Sequence, residues 1–508
     1  MEVNATRTAV GDETTAAIAA RVTTVLWLIV AIAICLKLLL DIVQQSFFLD
    51  GLIYSSIARN LAEGVGTVWA PQFSKTVFPV FAEHPPLMMW LQSFVFRLFG
   101  DTVIVDKLFS LATCAASLAV IVLTWRRLSG ADMDARRATP VVVFFTIVAG
   151  RLSWGFANGI LENLLIVFTS LAIFFVVAAY DQRRLWCRLG LVAGAGLLTA
   201  LALMTKGPVG LFPLAAPGIY WVSFRRPTFL AALVDTIMIG GVILVVFGIL
   251  WTMEGPREAI ERYVSVQLMT SLSGERGHNG AGLAAVRTFV RVNAYPLLLT
   301  VIVFLIGRMV RRPIAERGPR HESLRRILFF SLIGFSASLP LLAGPRVSSF
   351  YFNPSLPYFS AALATACAPV LLGMLDTLPI RSLLIAQWIF TGILGLSLFF
   401  VTLHIGLPGQ HQPTIEIAER IASRVCPSQS SCSVVVSTCG SVHEDWLLHG
   451  YLQRNFHVAL DDPSSAPRDY LLASEDCAAD VAAYRDVGAN VAPYRLLKLG
   501  EGSVSSSP

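Results

Sequence analysis

Long apolar runs separated by short polar segments dominate this chain as far as about residue 404. The runs recur near 22–40, 103–124, 139–157, 160–179, 189–205, 208–224, 229–251, 295–310, 327–344, 356–375 and 382–404. An apolar run of about 20 residues spans a bilayer as one helix. The pattern therefore predicts about eleven transmembrane helices. Pro residues flank or enter 295–310 and 356–375, which are the weakest of the runs. Residues 1–20 are polar and rich in Ala and Thr, and no small-residue cleavage pattern closes the run from Val22 to Leu40. That run is expected to be a retained first helix rather than a cleaved signal.

After about residue 405 the long runs stop, and Ser, Asp, Cys and Pro rise. Thr414–Val425 and Glu444–Arg454 read as helices, and Ser433–Ser437 and Asp469–Leu472 as short strands. The expected fold is an all-α polytopic membrane bundle over 1–404, with a small extracytoplasmic α/β domain over 405–508. Two long segments, 41–102 and 252–294, interrupt the bundle.

Composition agrees with lipid as the main solvent. The 508 residues are 55% apolar and only 14% charged, with a mean hydropathy of +0.66. A soluble domain carries about a quarter charged residues. The net charge of +6 is unevenly placed. Alternate segments hold Arg126-Arg127 through Arg136-Arg137, Arg183-Arg184 with Arg188, Arg225-Arg226, and Arg308 through Arg326, while Arg21 precedes the first run and Arg381 the last. Basic short loops stay cytoplasmic, so the N-terminus is expected in the cytoplasm. The segments 41–102, 252–294 and 345–355 and the tail are then expected on the opposite face. No Lys/Arg run interleaved with aromatics points to nucleic acid. Cys35, Cys114, Cys187 and Cys367 lie in or beside apolar runs, where free Cys behaves as a small apolar residue. Cys426, Cys432, Cys439 and Cys477 all fall in the tail. One or two disulfides fit an extracytoplasmic domain, with metal binding as the competing reading.

The candidate chemistry sits on the Arg-poor side. Asp50 directly follows an apolar run, where a carboxylate is costly without a task or a partner. It could equally cap a helix running from Tyr54 to Leu61, and both can hold at once. Trp69, Trp90 and Trp154 suit an interfacial belt. Pro86–Phe99 reads as an amphipathic helix on the membrane surface. Asp101 and Asp106 read as residues capping or flanking the second run, and Arg151 as a weaker ionic candidate near the end of the third. His443, Glu444 and Asp445 form an acidic and imidazole group without a second His at ligand spacing. There is no Walker A motif, no dinucleotide glycine fingerprint and no HExxH.

Several short motifs carry a family resemblance. They are Asp50 with Tyr54 four residues on, Asn60-Leu61-Ala62-Glu63-Gly64, Glu83-His84-Pro85-Pro86, Leu161-Glu162-Asn163, Thr205-Lys206-Gly207-Pro208, and Phe350-Tyr351 with Pro354 and Pro357. In order and placement this set resembles the membrane glycosyltransferases of the GT-C class. The branch it most resembles contains lipid A aminoarabinose transferase and the protein O-mannosyltransferases, and the resemblance covers about residues 40–360. It implies an inner-membrane enzyme that moves a sugar from a polyprenyl phosphate to a lipid A, glycolipid, polysaccharide or protein acceptor outside the cytoplasm. Asp50 would be the general base or acceptor-positioning group, with Glu162 a second acidic position. Tyr54, Glu83 and Tyr351 would help position substrate. The family often has Asp-Glu where this chain has Asp50-Gly51, and an acid–Lys pair where it has Glu83-His84.

These residue types suit the reaction. Glycosyl transfer needs a base for the acceptor proton and donors for the charge building on the departing phosphate. Lys206, Arg276, His278 and Arg346 fall on the same predicted face and are candidates for the phosphate. His84 joins them as a hydrogen-bond donor or when protonated. Each has a plainer reading: a snorkelling anchor for Lys206, a solvated loop charge for Arg276 and His278, and an interface anchor for Arg346. No metal is required by this set. Asp50 with Glu162 would be a thin ligand pair for a divalent cation. The competing class is a transporter or flippase for a lipid-linked sugar, which predicts mid-span charges and repeated halves.

Overall fold

The computed structural model describes residues 2–273, 282–309, 321–342, 344, 347–427, 433–462, 465, 468–478 and 481–500. Among the described residues, nine helical segments are long and apolar enough to cross a membrane. They are Thr15–Ile42, Val103–Ser129, Leu161–Ala179, Leu185–Phe224, Phe229–Trp251, Leu283–Met309, His321–Leu342, Ser349–Leu375 and Ile380–Thr402. The chain is a multi-pass membrane protein.

Burial sorts these helices. Phe229–Trp251 and Ile380–Thr402 turn Leu244, Val245, Trp388 and Leu396 outward, as lipid-facing helices do. Leu161–Ala179 is apolar on every side and mostly buried, so it forms the centre of the bundle. Its Ile173 and Val176 close one continuous core with Phe329, Phe330 and Ala361 of neighbouring helices.

Three of the eleven expected runs take a different form. Residues 139–157 break into Thr139–Val148 and Leu152–Ala157. Between them Gly150 adopts φ +44°, and a Cβ there would lie 2.8 Å from the Val292 carbonyl oxygen. The kink lets the chain close against the Leu283–Met309 helix. The 189–205 and 208–224 runs are two arms of one segment, Leu185–Phe224. It turns at Gly207 (φ +70°) and folds back so tightly that a Cβ on Gly210 would meet the Ala202 backbone at 2.6 Å.

The His321–Leu342 helix measures the bundle. Its first turn, with the Arg-rich segments around Arg127 and Arg226, lines a cavity at one end. Its last turn, at Pro340 and Leu341, lines a different cavity. Its 22 residues rise about 33 Å, so the two cavities lie at opposite ends. Arg127–Asp181 and Arg137–Asp376 ion pairs tie neighbouring segments together at the Arg-rich end.

The tail folds as a five-stranded sheet with two helices, Gln412–Val425 and Trp446–Phe456. The strands are β1 Val435–Cys439, β2 Ala459–Leu460, β3 Tyr470–Ala473, β4 Tyr484–Asp486 and β5 Arg495–Leu499, in the order β2-β1-β3-β5-β4. β1 pairs in parallel with β2 and β3, while β5 runs antiparallel to β3 and β4. Cys439 and Cys477 form a disulfide, and Cys426 is also disulfide-bonded; Cys432 lies outside the described residues. Cys35, Cys114 and Cys367 are free and buried, whereas Cys187 is exposed at a helix start rather than packed as a core residue. The core of the tail (Ile421, Val436, Leu448, Leu452, Leu472) takes in Phe47 and Leu52 of the membrane part. Tail and bundle therefore share apolar packing beside the Leu49–Ala62 helix.

Candidate active site

The site is built on the Leu49–Ala62 helix. Asp50 lies in its first turn, where a carboxylate favours the helix dipole. At the other end the Val65 N–H donates to the Asn60 carbonyl and the Gly64 N–H to that of Leu61, with Gly64 at φ +83°. That is a Schellman ending, and it explains the Gly after Glu63. The helix start is clamped as well. The Phe48 N–H donates to Asn158 Oδ1 at 2.6 Å, and a Cβ on Gly51 would lie 2.0 Å from the Asn158 carbonyl oxygen. No side chain fits at Gly51, so this chain has no room for a second carboxylate after Asp50.

Asp50, Tyr54, Glu83, His84, Glu162, Lys206 and Tyr351 all line one cavity of about 460 Å³. They come from the Leu49–Ala62 helix, the loop before Leu87, the start of Leu161–Ala179, the end of Leu185–Lys206, and the turn before Leu356. Glu162 and Lys206 form a buried ion pair. The ammonium lies 4.8 Å from the Tyr351 ring centre. Tyr54 is buried, with its ring 6.0 Å from that of His84. Burial holds the Tyr54 hydroxyl well above its ordinary pKa, and the charges of Asp50 and Glu162 push the same way. It stays protonated as a donor facing carboxylates. Arg276, His278 and Arg346 lie outside the described residues. Among the described residues, no three His, Cys, Asp or Glu side chains gather as a metal site.

A narrower apolar groove of about 170 Å³ adjoins the cavity, walled by Trp69, Met204, Phe247 and Ile260. Phe81, His84, Pro208, Tyr263 and Leu268 border both spaces. Sequence reasoning did not single out Tyr263. Burial pushes its hydroxyl up to about 12, and it sits so close to Gly207 that a Cβ there would overlap it. The glycine in Thr-Lys-Gly-Pro thus makes room for a tyrosine.

The larger omission is the support behind the helix. Asp106 does not flank its span as a cap; it is buried at 1% exposure and bound to Arg454 of the tail. Arg454 Nη2 donates to Asp106 Oδ2 at 2.7 Å and Nε donates to Ser55 Oγ at 2.5 Å. Arg59 Nη1 donates to the carbonyls of Gln453 and Arg454 at 2.7 and 2.8 Å. Burial, then the Arg454 charge, lowers the Arg59 pKa to about 10, still charged at neutral pH. The Phe47 N–H donates to the Tyr451 hydroxyl at 3.1 Å. An ionisable pair, Asp106-Lys107, in an apolar run was the signal available for this network. Nothing marked Arg454.

Arg151 stacks over Trp154 at 4.9 Å, away from the main cavity. Trp69 and Trp90 pack edge to face at 4.6 Å. The Leu87–Phe99 helix buries Met88, Met89 and Phe96 and exposes Phe94, Leu98 and Phe99, as a surface-lying amphipathic helix does. In the tail, Asp445 caps the Trp446–Phe456 helix by accepting from the Leu448 N–H at 3.0 Å and accepts from the Tyr494 hydroxyl at 2.8 Å.

The family model for dolichyl-phosphate-mannose-protein mannosyltransferases matches residues 83–251. No curated protein sequence matches the chain. Among solved structures, ArnT from Cupriavidus metallidurans in its apo state matches at 14% identity and a TM-score of 0.58, over 93% of this chain and 97% of that one. The same protein bound to undecaprenyl phosphate matches at 14% identity and 0.60, over 95% and 99%. The chain shares the fold of these structures, from the membrane bundle through the tail.

Proposed function

We propose that this protein is a membrane glycosyltransferase that moves a sugar from a polyprenyl phosphate to an acceptor outside the cytoplasm. The observation that carries this reading is the convergence of Asp50, Tyr54, Glu83, His84, Glu162, Lys206 and Tyr351 from five separate segments on one cavity beside an apolar groove. A polar head and a long apolar tail are what a polyprenyl-phosphate sugar presents. The relative bound to undecaprenyl phosphate has the same fold.

In the reaction, an acceptor oxygen or nitrogen bonds to the anomeric carbon and the bond from that carbon to the phosphate oxygen breaks. Asp50 takes the acceptor proton. Polyprenyl phosphate leaves with the electron pair, stabilised by the Lys206 ammonium and by N–H or O–H donors from His84 and Tyr351. Arg276, His278 and Arg346 are further candidates for this charge. Glu162 holds Lys206 in place, and the Tyr54 hydroxyl positions substrate among the carboxylates. The groove keeps the polyprenyl chain in apolar surroundings while the head reacts. The cavity lies at the end of the bundle opposite the Arg-rich segments, which supports a non-cytoplasmic site in a plasma or inner membrane.

The test is transfer by purified protein in lipid nanodiscs, with a labelled polyprenyl-phosphate sugar and a panel of acceptors. Asp50→Asn is expected to abolish transfer while leaving donor binding. Transfer at the wild-type rate in that variant would sink the assignment.

A further inference from the structure

A second cavity, of about 330 Å³, lies across an aromatic wall from the first. Phe48, Ser348 and Phe350 border both. The Phe48 and Phe350 ring centres are 5.6 Å apart, and Phe48 immediately precedes the helix that carries Asp50. The second cavity is assembled from the end of the first span, the 151–158 segment, the Ser348–Phe350 turn and the strap into the tail. That strap is pinned, because His411 Nδ1 lies 3.0 Å from the Tyr451 hydroxyl that also holds Phe47.

Its lining differs in kind from that of the first cavity. Gln44 and Gln410 bring carboxamides, and Ser46, Ser348 and Ser349 bring hydroxyls. The lining holds one acid, Asp41, which feels the charges of Lys107 and Lys37, and one strong base, Arg151, whose guanidinium lies over the Trp154 ring. A phosphorylated acceptor calls for several cations arranged around it, and among the described lining residues Arg151 is a single strong base. An apolar peptide side chain needs a dry pocket, whereas here the aromatic rings alternate with amides and hydroxyls. Neutral donors and acceptors beside aromatic faces match the vicinal hydroxyls and C–H faces of a sugar.

We infer that this cavity binds the acceptor, and that the acceptor is an uncharged carbohydrate offering a hydroxyl across the Phe48–Phe350 wall. The inference rests on the reading of the first cavity as the donor site. A glycosidic C–O bond forms at the donor's anomeric carbon, the carbon–phosphate oxygen bond breaks, and the hydroxyl proton passes to Asp50.

The test uses the full chain in nanodiscs and two readouts. In the first, neutral mono- and oligosaccharides are titrated without donor, following the fluorescence lost in Trp154→Phe. In the second, transfer from a polyprenyl-phosphate sugar is compared among neutral saccharides, Ser/Thr/Asn peptides and a phosphorylated glycolipid. Saccharide binding and transfer to saccharides are expected. Gln44→Leu is expected to raise the saccharide KM about tenfold and leave the donor KM in place, with Gln44→Asn restoring most of the loss. Unchanged thermal melting of Gln44→Leu guards against misfolding. Saccharide binding without transfer from any donor sinks the donor reading and keeps this cavity as a sugar site. Transfer to peptide or phosphorylated glycolipid alone, or absence of saccharide binding, overturns the inference.

Discussion

Replacing Arg454 by Met keeps most of the side-chain volume and removes the charge. In the wild type the guanidinium bonds Asp106, Ser55 and the Asp101 carbonyl at 2.5–3.0 Å. Asp106 keeps hydrogen bonds from Ser55 Oγ at 2.7 Å and Gln92 Nε2 at 2.5 Å, but it stays buried without a bonded counter-charge, with Arg59 and Lys107 acting on it only from farther away. Breaking a buried pair from one side costs about 3–5 kcal/mol. The two remaining donors argue for the low end. About 3 kcal/mol is roughly two orders of magnitude in the equilibrium between docked and undocked tail. Limited proteolysis of the 403–411 connection reads that equilibrium, and thermal unfolding in nanodiscs reads the stability. Arg454→Met is expected to be cut faster and to melt lower, and Asp106→Asn in the same chain is expected to recover part of the loss. In a double-mutant cycle the coupling should exceed about 1 kcal/mol. Additive effects, or a wild-type cutting rate in Arg454→Met, would refute the claim that this ion pair fastens the tail to the Asp50 helix.

Four further outcomes follow from the same structure. Gly51→Ala should lower transfer at least about tenfold and lower the melting temperature, since its Cβ would fall 2.0 Å from the Asn158 oxygen and the backbone must move to admit it; a kinetic comparison with wild type checks both. Burial, and then the His443 charge, lower the His449 pKa to about 4, from an ordinary 6.5. The unfolded chain therefore takes the proton first, so the tail holds full stability above about pH 6.5 and loses it as pH falls toward 4, by about 3 kcal/mol; His449→Phe should flatten that loss in pH-dependent melting. Opening the Cys439–Cys477 bridge, which closes a separation of 38 residues, should cost the tail about 4 kcal/mol on the chain-entropy account, visible as a lower melt in Cys439→Ser/Cys477→Ser. Because Glu162 is already paired with Lys206, washing with EDTA should leave transfer within about twofold of its starting rate, since Asp50 alone is a poor divalent site.

The apolar periodicity made the bundle legible, because lipid admits few alternatives to a long apolar helix. It did not show that 139–157 breaks at Gly150 or that Leu185–Phe224 turns at Gly207; both breaks depend on what the backbone meets in three dimensions. The seven described motif residues meet in one cavity, yet the sequence could not show that Lys206 serves Glu162 as well as any ligand. Gly51 looked like a missing carboxylate and is a point of contact. In the tail, two strands had apolar runs long enough to read. Ala459–Leu460 and Tyr484–Asp486 are too short to show a period of two. Arg454 and Tyr451 sat in an ordinary amphipathic pattern, and their partners lie about 350–400 residues away.

That separation sets a timetable. The Asp50 helix is made well before Tyr451 and Arg454, which grip Phe47, Ser55 and Asp106, with Tyr451 404 positions after Phe47. At about 5–20 residues per second the ribosome needs roughly 20–80 s to supply them. Through that interval the growing chain sits in the membrane with the Asp50 helix held by Asn158 but not by the tail. A chain that stalls before Tyr451 and Arg454 would be inserted without its tail contacts, and quality control could recognise it by the face around Asp106 and Arg59 that the tail would cover.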